Sequence, residues 1–249
     1  MLLSLTNVTK QYQLGTTVIK ALNSVSIDVA QGEFVSIMGP SGSGKSTFLQ
    51  VASMLAEPTS GSIKLKDKNV TEYNEVERAR LRNKEIGFIF QQFNLLARTS
   101  ALNNVKLPLM YAGIKEDEQN QRARAMLDRV GLSDRLQNTP AQLSGGQQQR
   151  VAVARALINN PSIIFADEPT GNLDSKSGRE IINLLKKLSH EGKTIIMVTH
   201  EPAVARIAHR LITFHDGQVA NDSLKRHPTP ISRLKTRPPK QVKNKKRIK

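Results

Sequence analysis

The stretch Gly39-Pro40-Ser41-Gly42-Ser43-Gly44-Lys45-Ser46 fits the pattern G-x-x-x-x-G-K-[ST] of a phosphate-binding loop. It follows the apolar run 34–38, which is typical of a buried strand, and it precedes a segment that can form a helix over 46–55. Glycines let backbone N–H groups approach phosphate oxygens, and the helix N-terminus adds unpaired donors and its positive dipole end. We therefore expect Lys45 to reach the β- and γ-phosphates of a nucleotide and Ser46 to ligate Mg²⁺.

A nucleotide site of this kind needs a carboxylate at the end of a neighbouring strand. The apolar run 163–166 is followed directly by Asp167 and Glu168. Asp167 can hold Mg²⁺ directly or through water, and Glu168 can orient or deprotonate the attacking water. An acidic pair at a strand end is often only solvated surface, but beside a phosphate-binding loop it indicates catalysis.

A second anion-binding helix end is indicated by Leu143-Ser144-Gly145-Gly146-Gln147. Ser144 is a good N-cap residue, and the two glycines leave the backbone N–H groups of the next turn uncovered. An ordinary capped helix is the simpler interpretation. However, the first loop already holds a nucleotide, so a second such helix end makes sense if it serves a nucleotide bound by another copy of the chain.

Hydrophobic periodicity predicts an α/β protein with a parallel sheet. After Pro161, buried apolar runs (163–166, 194–198 and 211–214) alternate with helical segments, of which the clearest covers 175–190. The first ninety residues are expected to form strands around one helix, with Leu3 and Leu5 opening an edge strand. Residues from about 92 to 160 are mainly helical and polar, which indicates an insertion into the core.

These motifs together resemble the ATP-binding cassette (ABC) ATPases, the nucleotide-binding subunits of ABC transporters. Residues 143–147 match the LSGGQ signature in full, 39–46 match Walker A, and Asp167-Glu168 match Walker B. The resemblance covers about residues 1–223. It implies a P-loop NTPase core with a parallel sheet, an N-terminal antiparallel β subdomain, an inserted α-helical subdomain, and ATP and Mg²⁺ as cofactors.

The resemblance also assigns roles to residues outside these motifs. Gln91 corresponds to the Q-loop glutamine that touches Mg²⁺ and water, His200 to the switch histidine at the γ-phosphate, and Tyr12 to the aromatic residue on adenine. The implied catalytic residues are Lys45, Gln91, Glu168 and His200, and the implied metal ligands are Ser46, Gln91 and Asp167. The implied nucleotide-binding residues are Tyr12, Gly39, Pro40, Ser41, Gly42, Ser43, Gly44, Lys45, Ser46, Thr47, Ser144, Gly145, Gly146, Gln147 and Asp174.

In such a family, two cassettes pair head to tail on ATP and drive a transmembrane permease. The resemblance therefore implies a homodimer in the ATP-bound state and a location at the cytoplasmic face of the membrane. Residues 88–96, 107–109 and 167–174 are similar to the lipoprotein-release, macrolide-export and cell-division cassettes, which often transmit force across the membrane. Residues 97–100 depart from that branch, because Ala97-Arg98-Thr99-Ser100 stands where a Pro usually precedes Leu-Thr.

The charge of the chain is concentrated at its C-terminal end. The 249 residues include 37 Lys and Arg against 21 Asp and Glu, a formal net charge of +16. Residues 224–249 hold 11 of the basic side chains and no acidic one, so the remainder carries a net charge of only +5. The chain has no cysteine, which excludes disulfides and thiolate metal sites.

This basic tail leaves three interpretations open. It can be a disordered, solubilising extension, since four prolines interrupt it and apolar residues are sparse. It can be attracted to anionic lipid, at about 1 kcal/mol per basic residue near the surface. It can also bind nucleic acid, which would fit an alternative function as a soluble ABC ATPase acting on nucleic acid or ribosomes. The tail has no aromatic residues for base stacking, so nucleic acid is the less favoured partner.

Overall fold

The computed structural model describes residues 1–224. The predicted tail lies, except for Leu224, outside these residues. The strands are β1 (Leu3–Leu14), β2 (Thr17–Val29), β3 (Phe34–Met38), β4 (Ser60–Leu65), β5 (Lys68–Asn69), β6 (Ile86–Ile89), β7 (Ile163–Asp167), β8 (Thr194–Val198), β9 (Arg210–His215) and β10 (Gln218–Leu224). The helices are α1 (Lys45–Ala52), α2 (Glu75–Glu85), α3 (Ala101–Tyr111), α4 (Glu116–Arg129), α5 (Gly145–Leu157), α6 (Ser175–His190) and α7 (Pro202–Ala205), with a 3₁₀ turn at Pro140–Gln142.

A six-stranded sheet forms the centre of the fold, in the order β10-β9-β3-β8-β7-β6. β3 pairs in parallel with β8 and β9, and β7 pairs in parallel with β6 and β8. All five residues of β8 and four of the five in both β3 and β7 are buried, as expected for strands covered on both faces. Because parallel strands end at the same edge of a sheet, the segments that follow β3, β7 and β8 lie close together.

The N-terminal sheet has four antiparallel strands in the order β2-β1-β4-β5. The prediction that Leu3 and Leu5 open an edge strand is wrong, because β1 pairs with β2 on one side and with β4 on the other. Leu3 and Leu5 are almost fully buried and pack in a cluster with residues of α1 and the central sheet. This core fixes the N-terminal sheet against the segment that leads from β3 into α1.

The prediction of a single helix in the first ninety residues is also wrong, because α2 is a second one. Its only buried side chains are Arg78 and Glu85, so it lacks the apolar stripe that usually identifies a surface helix. The sequence signal lies at its start. The Asn74 side chain accepts a hydrogen bond from the Glu77 N–H, and the Glu77 carboxylate accepts one from the Asn74 N–H, which is a capping box.

Between β6 and β7 the chain forms α3, α4, the 3₁₀ turn and α5. Their apolar residues make a cluster that includes Val105, Leu127 and Val151. The opposite side of α5 packs on the central sheet through Val153 and Leu157. α5 therefore belongs to both cores and connects the helical region to the sheet that carries the site. No helix among residues 1–224 is long and apolar enough to cross a membrane.

Candidate functional site

The glycine-rich loop lies between β3 and α1 and is held by neighbouring backbone. The N–H of Gly217 donates to the carbonyl oxygen of Ser43 at 3.1 Å. Gly44 has a φ of 96°, and a Cβ at this position would lie 2.4 Å from the carbonyl oxygen of Ala21 on β2. Only glycine fits there, because both the left-handed backbone and the close approach of β2 exclude a side chain. The loop is thus fixed between β2 and the turn that joins β9 to β10.

Two polar groups in this loop lack the partners that a buried group usually has. The Lys45 side chain is largely buried, and its Nζ donates to the carbonyl oxygen of Pro40 at 2.7 Å. Among the described residues, the hydroxyl oxygen of Ser43 is buried and has no hydrogen-bond partner. A buried cation with one carbonyl partner and a buried hydroxyl with none fit a site that accepts an anion.

A cavity of about 650 Å³ opens at this loop. That volume suits a ligand of nucleotide size. The sequence-predicted residues that line it are Gly39, Ser41, Gly42, Gly44, Lys45, Ser46, Thr47, Glu168 and His200. The cavity therefore combines the loop after β3 with side chains from the ends of β7 and β8.

The acidic residues lie where β7 ends. Glu168 has a φ of 42°, an unfavourable conformation for a residue with a side chain, and its N–H donates to the carbonyl oxygen of Val198 at 2.9 Å. Its Oε1 lies 3.0 Å from Nδ1 of His200. This hydrogen bond raises the pKa of His200, because the carboxylate stabilises the protonated imidazole.

Asp167 is half-buried between the sheet and the loop. Burial raises the pKa of its carboxyl group, and the negative charge of Glu168 adds to the effect, while Lys45 opposes it. A nearby cation stabilises the ionised form of a carboxylate in this environment, so the chemistry of Asp167 fits a Mg²⁺ ligand.

The structure does not place Gln91 in the cavity lining. Its Nε2 lies 3.5 Å from Oδ1 of Asn172, and its carbonyl oxygen accepts a hydrogen bond from Nδ2 of Asn172 at 3.1 Å. A Cβ on Gly171 would lie 2.6 Å from Nε2 of Gln91. In this conformation the glutamine packs against the segment after β7 instead of reaching the phosphate loop.

Tyr12 also lies outside the cavity lining. It is on β1 opposite Ile19 of β2, and Ile19 does line the cavity. The Tyr12 residue is 41% exposed, and Nζ of Lys10 lies 5.1 Å from the centroid of its ring. The tyrosine is thus available at the rim beside a cavity residue.

The LSGGQ segment forms the start of α5, away from the cavity of its own chain. Ser144 caps the helix by accepting from the Gln147 N–H at 3.3 Å, and the Gln147 side chain accepts from the Ser144 N–H at 2.9 Å. A Cβ on Gly146 would lie 2.6 Å from Oγ of Ser177, so this glycine lets α5 approach α6 closely. Asp174 caps α6 and lines a separate cavity of about 510 Å³ between α6 and α7.

Sequence reasoning missed part of the cavity lining: Ile19, Lys20, Ala21, Asp216 and Gly217. β2 contributes the first three, and no motif at these positions indicated that they would lie beside the glycine-rich loop. Asp216-Gly217 joins β9 to β10, and an Asp-Gly pair between two strands is a hairpin signal that the sequence did offer.

A glycine-rich loop that carries the lysine its pattern requires, placed beside a strand-end carboxylate, defines this protein as a P-loop nucleotide-binding protein. A family model described as ABC transporter matches residues 22–171. That range covers more than half of the chain, and it includes the loop, the LSGGQ segment and both acidic residues. The chain belongs to the ABC transporter family and is an ATP-binding, ATP-hydrolysing member of it.

Curated relatives agree with this family. The chain is 48% identical over 218 residues to the uncharacterized ABC transporter ATP-binding protein YknY of Bacillus subtilis, covering 88% of this chain and 95% of that protein. It is 52% identical over 224 residues to the macrolide export ATP-binding/permease protein MacB of Chlorobium phaeobacteroides, covering 90% of this chain. The chain spans 34% of the length of that MacB protein, so it corresponds to only part of it.

Solved structures match the whole described fold. The ATP-binding cassette MJ0796, in a dimer described as a post-hydrolysis state bound to ADP and Pi, has a TM-score of 0.84 and 47% identity over 90% of this chain and 99% of that one. A second dimeric structure of MJ0796 has the same TM-score at 48% identity. These matches confirm the predicted α/β P-loop fold with its N-terminal antiparallel sheet and its helical insertion.

Proposed function

We propose that the chain binds Mg²⁺-ATP in the cavity at the glycine-rich loop, hydrolyses it, and drives a transmembrane permease through ATP-dependent dimerisation. The observation that carries this proposal is the convergence of Lys45, Glu168 and His200 on one cavity at the carboxyl edge of the parallel sheet. The loop supplies positive charge for the phosphates, and the other two residues supply acid–base chemistry.

The nucleotide phosphates bind to the backbone N–H groups of residues 39–47. Lys45 exchanges the carbonyl oxygen of Pro40 for the β- and γ-phosphates, which offer it a stronger, charged acceptor. Tyr12 stacks on the adenine at the rim of the cavity, next to Ile19. The loop thereby fixes the γ-phosphoryl group beside Glu168.

Mg²⁺ fits the oxygen donors at this edge: the Ser46 hydroxyl, the Asp167 carboxylate and, after its side chain turns inward, the Gln91 carbonyl group. The raised pKa of the half-buried Asp167 carboxyl supports a cation beside it. When bound, Mg²⁺ neutralises charge on the β- and γ-phosphate oxygens.

Glu168 is the catalytic carboxylate. It accepts a proton from the attacking water or orients that water in line with the γ-phosphoryl group. His200 holds the Glu168 carboxylate through its Nδ1 hydrogen bond and contacts the γ-phosphate from the cavity that it lines together with the loop. The strained backbone at Glu168 aims the carboxylate into the cavity.

The LSGGQ segment binds the nucleotide of a second copy. Its helix N-terminus offers backbone donors but does not line the cavity of its own chain, which supports a role in trans. In a head-to-tail homodimer, Ser144 and the following residues 145–147 then stabilise charge on the γ-phosphoryl group across the interface, with Asp174 nearby. The dimeric structures of MJ0796 support dimerisation of such a cassette.

The YknY and MacB relatives support a transporter role at the cytoplasmic face of a membrane. There the ATP-driven dimer cycle would move a permease of the exporter or mechanotransmission kind. Residues 225–249 add a second attachment to the membrane, besides the permease, through attraction of their basic side chains to anionic lipid. Nucleic acid is not part of the proposed function.

Replacing Lys45 tests whether ATP binds at this loop. Lys45→Met keeps the aliphatic stem and removes the charge, so we expect the Kd for ATP to rise about tenfold or more, since charged hydrogen bonds contribute ~1.5–3 kcal/mol each. Lys64→Met, an exposed position on β4, is the matched control and should leave the Kd unchanged. Unaltered ATP affinity in Lys45→Met, measured by calorimetry, would place the nucleotide elsewhere.

A further inference from the structure

Gln149 is a fully buried polar residue of α5. Its Nε2 donates to the carbonyl oxygen of Pro169 at 2.7 Å and to that of Phe90 at 3.3 Å. Both partners are carbonyl groups, which only accept hydrogen bonds. The amide nitrogen must therefore face them, and this determines the orientation of the side chain.

The two carbonyl groups belong to the two segments that approach the catalytic edge. Phe90 directly precedes Gln91, and Pro169 directly follows Glu168. The neighbouring carbonyl group of Gln91 accepts from the Asn172 side chain at 3.1 Å. One side chain of the LSGGQ helix thus fixes the backbone on both sides of the site, and Asn172 completes the connection.

The oxygen atom of the Gln149 side chain is less well satisfied than its nitrogen atom. Among the described residues, Oε1 of Gln149 is buried and has no hydrogen-bond partner. A buried amide that is only half satisfied is a poor choice for packing, because an apolar side chain of equal size would leave no unpaired acceptor on α5. Packing therefore does not explain this glutamine, whereas the two donated hydrogen bonds do.

We propose that Gln149 is a positioning residue, which connects the LSGGQ helix to Gln91 and to Glu168 of the same chain. When a second copy engages the N-terminus of α5, a shift of this helix moves the carbonyl groups of Phe90 and Pro169 together. The geometry of the catalytic edge then depends on the dimer contact. This inference rests on the proposed roles of Gln91 and Glu168.

The test replaces Gln149 by methionine, which keeps the shape and removes both donors. Gln148→Met is the matched control: it lies on the same helix, and within residues 1–224 its Nε2 donates only to the nearby carbonyl oxygen of Leu143 at 3.1 Å. In steady-state ATPase assays we expect kcat to fall about tenfold or more in Gln149→Met, with KM for ATP within about twofold of the parent value. Gln148→Met should keep both constants near those of the parent.

A second measurement follows the side chains without turnover. In ¹⁵N NMR spectra of the nucleotide-free protein, the side-chain NH₂ signals of Gln91 and Asn172 should shift in Gln149→Met and stay in place in Gln148→Met. If Gln149→Met does not fold by circular dichroism, Gln149→Glu replaces it under the same criteria. A buried neutral carboxyl group retains one donor, so an intermediate kcat is expected for that variant.

Equal kcat values for the Gln149 and Gln148 variants, or a reduced kcat with unmoved Gln91 and Asn172 signals, would overturn the proposal. The NMR result does not depend on hydrolysis. An inactive parent protein would therefore contradict the proposed function, and unmoved signals would contradict the role of Gln149 separately.

Discussion

His200 and Glu168 are the pair of side chains on which the chemistry of the cavity depends most directly. Their 3.0 Å contact raises the pKa of the imidazole above its ordinary value. A raised pKa in the folded state stabilises the protein at low pH, and this contribution is lost as the pH rises through that pKa. The imidazole is exposed, so the contribution to stability is small.

The dependence of the His200 pKa on Glu168 can be tested directly. Glu168→Gln removes the negative charge while keeping the size of the side chain, so the pKa of His200 should fall towards its ordinary value. Titration of the imidazole signals by NMR measures it in the nucleotide-free protein. Glu180→Gln, on the exposed side of α6, is the control. An unchanged His200 pKa in Glu168→Gln would show that the two side chains do not interact in solution.

At the scale of single residues, the sequence predicted those whose chemical role fixes their position within a motif. Lys45, Glu168 and His200 come together in the cavity because each lies in the segment that follows a buried strand of one parallel sheet. The orientation of Gln91 and Tyr12 was not predictable, because it depends on contacts with Asn172 and Lys10 that are remote or unspecific in sequence. Lys20 and Asp216 were missed for the same reason, since neighbouring strands bring them to the cavity.

At the scale of helices and strands, Ser144 at the start of α5 has a capping role and a proposed role in the dimer, and comparison with another helix cap separates the two. Ser144 caps α5 and Ser100 caps α3, each by accepting from the N–H three residues later. Ser144→Ala and Ser100→Ala should therefore each cost about 1 kcal/mol of unfolding free energy, because each removes one N-cap hydrogen bond. Chemical denaturation measures this cost.

Only Ser144→Ala should also reduce ATP-dependent dimerisation and turnover, because Ser144 faces the nucleotide of the partner in the proposed dimer. Light scattering with ATP and a phosphate-release assay compare the two variants. Equal turnover in both would leave Ser144 with a capping role alone.

The helices and strands differ in how clearly their sequence patterns predict them. β3, β8 and α6 have the bounds that their apolar runs and caps predict, because burial on both faces or along one stripe leaves a strong pattern. α2 was missed because its buried residues are charged. The sequence pattern of β1 does not show that it is an inner strand, since its pairing with β4 depends on contacts between residues 50 or more positions apart in the chain.

For the whole molecule, the distribution of charge separates the ATPase from its tail. Deleting residues 225–249 removes 11 basic side chains and leaves a net charge of +5. Binding to anionic liposomes at low salt should be largely lost, while ATPase activity per molecule should stay near that of the full chain. Sedimentation with vesicles across a salt series measures this, with neutral vesicles and duplex DNA as comparisons. Equal liposome binding by the full and shortened chains would remove the lipid role from the tail.

The fold as a whole was predictable because several local motifs agree with one topology, in which the loop, the acidic residues and the histidine all follow buried parallel strands. The LSGGQ segment does not line the cavity of its own chain, so in the proposed function the complete site forms only in the dimer.

The most direct test of this account measures ATP binding, turnover and assembly in Glu168→Gln. The glutamine keeps the side-chain size but cannot take a proton from water, so we expect ATP binding to persist, turnover to fall at least about a hundredfold, and a dimer to accumulate in Mg²⁺-ATP. Size-exclusion chromatography with light scattering detects the dimer, and phosphate release measures turnover. Near-normal hydrolysis without a stable dimer would contradict the assignment of Glu168 and the ATP-driven cycle.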